Sequence, residues 1–222
     1  MIKAVLFDLD GTILDTEKYY RILWPKAVAK YGYTLTDEMA LKLRSLGRPF
    51  APAQFREWFG EDFDYNEVRT YRKEIFKELI AEYGISLKPG VEEVLNYLKK
   101  RKITTAICTA TDLERTESYL RMVGLEGRFD RLISATMVER GKPAPDVYLL
   151  AAGELGLKCE ECIAVEDAPN GIRSAYAAGM RVIMVPDQTQ PDEELKAMLW
   201  ACPASLADIP QILDEYDPEA GK

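Results

Sequence analysis

Histidine is absent from all 222 residues of this chain, and that gap removes a large share of enzyme chemistry. Ser-His-Asp triads, Cys-His nucleophile pairs, histidine general bases and imidazole zinc sites all need a side chain that is missing. Cysteine is scarce: the four residues at 108, 159, 162 and 202 are too few and too irregular for a disulfide scaffold. Cys159 and Cys162 have redox or metal spacing, but no second pair exists, Glu160 and Glu161 lie between them, and Cys162 opens an apolar strand. They read as packing residues. No apolar run reaches membrane-spanning length, and the apolar residues 1–6 meet Asp8 and Asp10 too soon for a secretory leader. A cytoplasmic protein without a membrane partner is expected. Basic clusters are missing too: 29 Lys and Arg against 37 Asp and Glu give a net charge of −8, which repels a polyanion. No nucleic-acid partner is expected.

What is present alternates. Short β-rich runs at 2–7, 103–108, 130–135, 162–166 and 181–186 read as five strands. Helical patterns lie between the later ones, near 90–101, 112–123, 145–156 and 169–179, several with a cap or proline at the start and glycine past the end. This order implies an α/β fold, a doubly wound parallel Rossmann-like sheet. One stretch departs from it. Residues 16–85 are rich in aromatics and charges, helical in pattern, and far too long for a simple crossover. They are expected to form an inserted helical-bundle cap domain, with residues 1–15 and 86–222 as the catalytic core. The acidic end "DEYDPEAGK" is expected to fray into solvent.

Ligands of open parallel sheets bind beyond the carboxyl ends of the strands, so the polar residues there are the candidates for chemistry. In "LFDLDGT", Asp8 and Asp10 stand two apart after an apolar run, a spacing that projects both side chains the same way in extended chain. The second strand delivers Thr109 and Thr111 in "CTATD", the fourth Glu166 and Asp167 in "VEDAPNG", and the loop "VERGKPAPD" supplies Lys142. Converging carboxylates without histidine favour a hard cation, Mg²⁺ over zinc, and phosphate is the anion that best completes such a site.

Together, DxDGT, a hydroxyl after the second strand, Lys in GKPxPD, and an ED pair before a glycine-bearing helix resemble the haloacid dehalogenase-like superfamily. The resemblance covers essentially the whole chain, and the insert resembles the family's helical cap of the first type. It implies that Asp8 is the nucleophile that becomes an aspartyl-phosphate, and that Asp10 protonates the leaving oxygen and then activates water. It further implies a Mg²⁺ site made by Asp8, Asp167, Glu166 in or just behind the first shell, and the Asp10 backbone carbonyl. Lys142 and Thr109 would hold the phosphoryl oxygens, with Ala110 offering a backbone N–H. Glu17, Arg44, Arg48 and Lys73 of the insert are candidates to reach a substrate, weighed against an ordinary solvated face.

"AVLFDLDGTILDTE" and "GKPAPD" are similar to the β-phosphoglucomutase-like branch of the superfamily. The mutases of that branch carry a histidine shortly after the first motif and polar cap groups where this chain has Tyr20 and "LGRPF". Asp10 sets the chain apart from true dehalogenases and phosphonate hydrolases, which lack that aspartate. The reading favoured is hydrolysis of a small phosphomonoester, a sugar phosphate or similar metabolite, by a monomer. A phosphosugar mutase and a receiver-like phosphoacceptor module are the alternatives.

Overall fold

A computed structural model of the protein describes residues 1–216. Among them, five strands form one parallel sheet: β1 (Ala4–Phe7), β2 (Thr104–Thr109), β3 (Arg131–Ser134), β4 (Cys162–Glu166) and β5 (Arg181–Met184), ordered β3-β2-β1-β4-β5. The fold is the expected α/β, Rossmann-like one. β4 coincides with its expected span, whereas β1 and β5 are two residues shorter. Alternation along β1 divides the interior in two. Val5 and Phe7 face a large core with Ile107 and Ile163, while Ala4 and Leu6 face a second core with Ala106 and Ala164. Small side chains on that second face let α7 (Asp146–Glu154) and α8 (Pro169–Ala177) approach with Ala151 and Ala175. Helices α5 (Val91–Lys100) and α6 (Leu113–Met122) cover the first face.

Four helices lie between β1 and α5: α1 (Glu17–Ala29), α2 (Asp37–Lys42), α3 (Phe50–Phe59) and α4 (Tyr65–Tyr83). Local signals set their ends. Thr36 accepts from the Met39 N–H at 3.2 Å and Asp64 from the Glu67 N–H at 2.9 Å, each satisfying an orphan donor of the first turn. Buried Phe55 binds the bundle together, its ring centroid 5.0 Å from that of Trp24 and 5.2 Å from those of Phe63 and Tyr65. The two passages between bundle and core pair with each other. The Asp15 N–H donates to Ser86 O and the Lys88 N–H to Ile13 O, both at 2.9 Å, so the chain leaves and re-enters the core through a short antiparallel ladder.

The C-terminal expectation is partly overturned. Residues 214–216 end α10 (Ile209–Tyr216) instead of fraying, because Leu213 is buried and Asp214 accepts from the Tyr97 hydroxyl at 2.7 Å and from Arg101. The rest of that stretch lies outside the described residues. No helix among the described residues is long and apolar enough to cross a membrane.

Candidate active site

Sheet register explains the convergence of the acidic residues. Phe7 of β1 sits opposite Ile107 of β2 and Val165 of β4, so one step further the chain places Asp8 between Cys108 and Glu166. This is the end of the sheet where the connections diverge to either side of β1. Gly11 then turns the chain with φ of +88°, and a Cβ there would lie 2.3 Å from Asp167 Oδ2, so both the turn and the space require glycine.

Lys142 is fully buried and its ammonium is shared. It donates to Asp8 Oδ1 and Glu166 Oε1, both at 2.5 Å, and to the Cys108 carbonyl at 2.8 Å. Burial alone would lower its pKa, but Asp8 and Glu166 outweigh that and hold it above the ordinary lysine value. Tyr148 of α7 donates its hydroxyl to the same Glu166 oxygen at 2.5 Å. Asp10 points away from this group. Its Oδ1 accepts from the Thr16 hydroxyl at 2.6 Å and its Oδ2 from the Thr111 hydroxyl at 2.7 Å. The Thr109 hydroxyl, meanwhile, accepts the Thr111 N–H at 3.0 Å. Thr111, and not Thr109, supplies the strand-end hydroxyl that bonds Asp10.

Arg44, from the segment after α2, reaches into the core. Its guanidinium donates to Asp167 Oδ2 and to the Thr189 hydroxyl at 2.9 Å, and its Nε lies 3.4 Å from Glu17 Oε2. Five buried carboxylates, Asp8, Asp10, Glu17, Glu166 and Asp167, thus meet two buried cations, Lys142 and Arg44. The imbalance shows in their titration. Burial raises Glu166 to about 8 and Asp167 to about 7, and pushes Asp8 and Glu17 upward as well. Three carboxylate oxygens in this group, Asp8 Oδ2, Glu166 Oε2 and Asp167 Oδ1, are buried and have no donor among the described residues. Their residues each offer an oxygen within 4.8 Å of the others, so a hard divalent cation fits here both by charge and by donor type. The Asp10 side chain is not part of that group.

A cavity of about 100 Å³ lies between the bundle and these strand ends, lined by Asp8, Asp10, Thr109 and Ala110 from the core and by Glu17, Arg44 and Arg48 from the insert. Lys73 is elsewhere, paired with Asp112 at 3.2 Å across the junction of insert and core. The insert is docked by backbone bonds next to the lysine. The Gly47 N–H donates to Lys142 O at 2.8 Å and the Gly141 N–H to Arg48 O at 2.6 Å. Asn170 of α8 adds two bonds to the insert's backbone, to Lys42 O and Arg44 O. Sequence reasoning passed over Thr16, Tyr148, Arg69, Arg72 and Arg115. The two-residue step from Thr109 to Thr111 was the one signal that pointed to a second hydroxyl.

A parallel sheet whose strand ends gather carboxylates around one buried lysine, beneath a helical bundle inserted after the first strand, defines a hydrolase with a Rossmann-like core and a helical cap. The chain belongs to the haloacid dehalogenase-like hydrolase family, which it matches over residues 2–179. It is 29% identical to the phosphorylated carbohydrates phosphatase of Thermotoga maritima, over 96% of this chain and 97% of that protein. Among solved structures it is similar to a mutant of CbbY from Rhodobacter sphaeroides in complex with xylulose-(1,5)bisphosphate, with TM-score 0.80, 30% identity, and 94% and 96% of the two chains covered. It also shares the fold of β-phosphoglucomutase from Clostridium difficile, with TM-score 0.83, 24% identity and 98% of each chain covered.

Proposed function

We propose that the protein is a Mg²⁺-dependent phosphatase that hydrolyses a small phosphomonoester, a sugar phosphate or similar metabolite, through a phosphorylated Asp8. The observation that carries this reading is the division of labour around Asp8. One of its oxygens is held by Lys142 and the other is buried with no donor beside the free oxygens of Glu166 and Asp167. A cation held by Asp8, Glu166 and Asp167 would neutralise the charge that gathers on the phosphoryl oxygens during transfer. Lys142 supplies a second positive charge from the opposite side of Asp8 and keeps its attacking oxygen oriented, which is the task that phosphoryl transfer sets a protein.

Asp10 has the complementary task. Fixed by two hydroxyls, it gives a proton to the leaving oxygen and later takes one from the water that cleaves the acyl phosphate. The docked insert excludes bulk water from this exchange and supplies the walls that select the substrate. The phosphatase activity named for the Thermotoga maritima relative and the sugar bisphosphate bound to the CbbY mutant both support a phosphorylated carbohydrate as substrate. Tyr20 occupies the position where the mutases of this branch are expected to carry histidine, which favours transfer to water.

The reading is tested by release of inorganic phosphate from p-nitrophenyl phosphate and from a panel of sugar phosphates, with and without Mg²⁺. Activity that needs the metal and falls at least about 10⁴-fold in Asp8→Asn is expected. Near-normal hydrolysis by that variant contradicts the assignment.

A further inference from the structure

The cavity has a second wall that the hydrolytic chemistry does not use. Arg69 and Arg72, three residues apart on α4, meet Arg115 of α6 there, together with Tyr20, Trp24 and Tyr65. Arg72 is only 6% exposed, yet it has no ion pair among the described residues and its buried Nε has no acceptor. Its guanidinium carbon lies 4.7 Å from the centre of the Tyr20 ring and 4.6 Å from that of Trp24, held between two aromatic faces. Arg115 pairs with Asp112 at 2.9 Å through Nε, but its Nη1 is buried without an acceptor. Tyr20 adds a buried hydroxyl that also has no partner.

Such an arrangement is costly by itself. A guanidinium taken out of water without a counter-anion loses solvation that an aromatic face returns only in part. Placing two further arginines alongside adds repulsion. Burial lowers the Arg72 pKa, with Arg115 and Arg69 both contributing to the lowering. A purely structural strut between Tyr20 and Trp24 would be served by an apolar side chain, without gathering three like charges against a cavity wall. What Arg72 lacks among the described residues is an anion, in a chain whose overall charge is −8.

We propose that Arg69, Arg72 and Arg115 form a subsite for a second anionic group of the substrate, apart from the phosphoryl group transferred to Asp8. The natural substrate then carries two anions, a phosphate ester at the strand ends and a phosphate or carboxylate beneath α4, with the carbon skeleton between them against Tyr20 and Trp24. This inference rests on the phosphatase reading for the site at Asp8 but stands on different residues.

The test uses three ligands that differ in one group: glucose 6-phosphate, glucose 1,6-bisphosphate and 6-phosphogluconate. Binding of each to full-length Asp8→Asn with Mg²⁺ is measured by calorimetry, and hydrolysis of each by the unsubstituted protein is followed by phosphate release. At least one two-anion ligand is expected to bind about tenfold or more tightly than glucose 6-phosphate, a gain of the size expected for a charge-assisted pair. That margin is expected to shrink below about threefold in Arg72→Gln and in Arg69→Gln. Preference for the bisphosphate identifies phosphate as the second anion; preference for 6-phosphogluconate identifies carboxylate. Equal binding of all three ligands, or a margin that survives in both arginine variants, overturns the subsite. Arg69 is only half-buried, so its variant decides the matter if Arg72→Gln does not fold. The two readings fail separately: selective binding without hydrolysis removes the phosphatase assignment alone, and hydrolysis without selectivity removes the subsite alone.

Discussion

The two walls of the cavity carry opposite charge. The core wall carries Asp8 and Asp10, and at Asp8 it meets Glu166 and Asp167, gathered around one lysine with three oxygens that have no donor among the described residues. The facing wall gathers Arg69, Arg72 and Arg115 among aromatic rings and leaves guanidinium nitrogens without acceptors. Each wall is incomplete in a way that names its missing partner, a cation for the first and an anion for the second. On the proposed function, a phosphorylated metabolite with its metal would satisfy both.

After loss of Asp8 itself, the largest effect is expected from breaking the core wall at its cation. Lys142→Met removes the ammonium that bonds Asp8 and Glu166, and steady-state kinetics with the best substrate should show kcat/KM reduced by about 10²–10³. Separating the walls should cost less. A Cβ on Gly47 would lie 2.7 Å from Gly141 Cα and 3.0 Å from the Lys142 nitrogen, backbone that has no room to move. Gly47→Ala is therefore expected to hold the insert off the core and reduce kcat/KM for a sugar phosphate roughly tenfold. A smaller loss for p-nitrophenyl phosphate, which asks less of the facing wall, would locate the effect in the insert.

The smallest effect isolates the core wall without mutation. Glu166 and Asp167 have folded-state values of about 8 and about 7, above the ordinary carboxylate values of 4.5 and 3.8. Between those limits the folded metal-free protein holds protons that the unfolded chain has released, so its stability falls as pH rises toward 8. A divalent cation binds the ionised forms and reverses the penalty. Thermal unfolding should therefore show Mg²⁺ raising Tm by a few degrees more at pH 8 than at pH 5. An equal shift at both values would mean that the cation binds elsewhere.

The walls also differ in how far the sequence disclosed them. Asp8 and Asp167 directly follow strands, Glu166 ends one, and Asp10 stands two beyond Asp8, so strand periodicity and the rule that ligands sit at strand ends locate them without tertiary information. Lys142 and the presence of a helical insert were legible for similar reasons, being read from a contiguous loop motif and from a helical stretch too long for a crossover. The arginine wall was not. Its members come from α4 and α6, and on a charged helix such as "YNEVRTYRKEIFKELI" a buried arginine looks like any solvated one. Lys73, singled out from the sequence, turns to Asp112, while its neighbour Arg72, one helical step of about 100° away, enters the cavity. Thr16 was obscure for a related reason, and Thr111 was legible only as a strand-end hydroxyl. A hydroxyl after a strand most often satisfies backbone, and only the folded geometry shows both bonded to Asp10.

The central claim is that Asp8 takes the phosphoryl group while Asp10 manages the proton. It is tested most directly by mixing full-length Asp10→Asn with p-nitrophenyl phosphate and Mg²⁺, quenching in acid, and recording intact mass with peptide mapping. An aryl leaving group needs little help from an acid, but cleavage of the acyl phosphate still needs a base. The account predicts a protein one phosphoryl group heavier, with the label on the peptide that holds Asp8. Substrate turned over with no labelled protein at any time, or a label on a peptide that lacks Asp8, would contradict it.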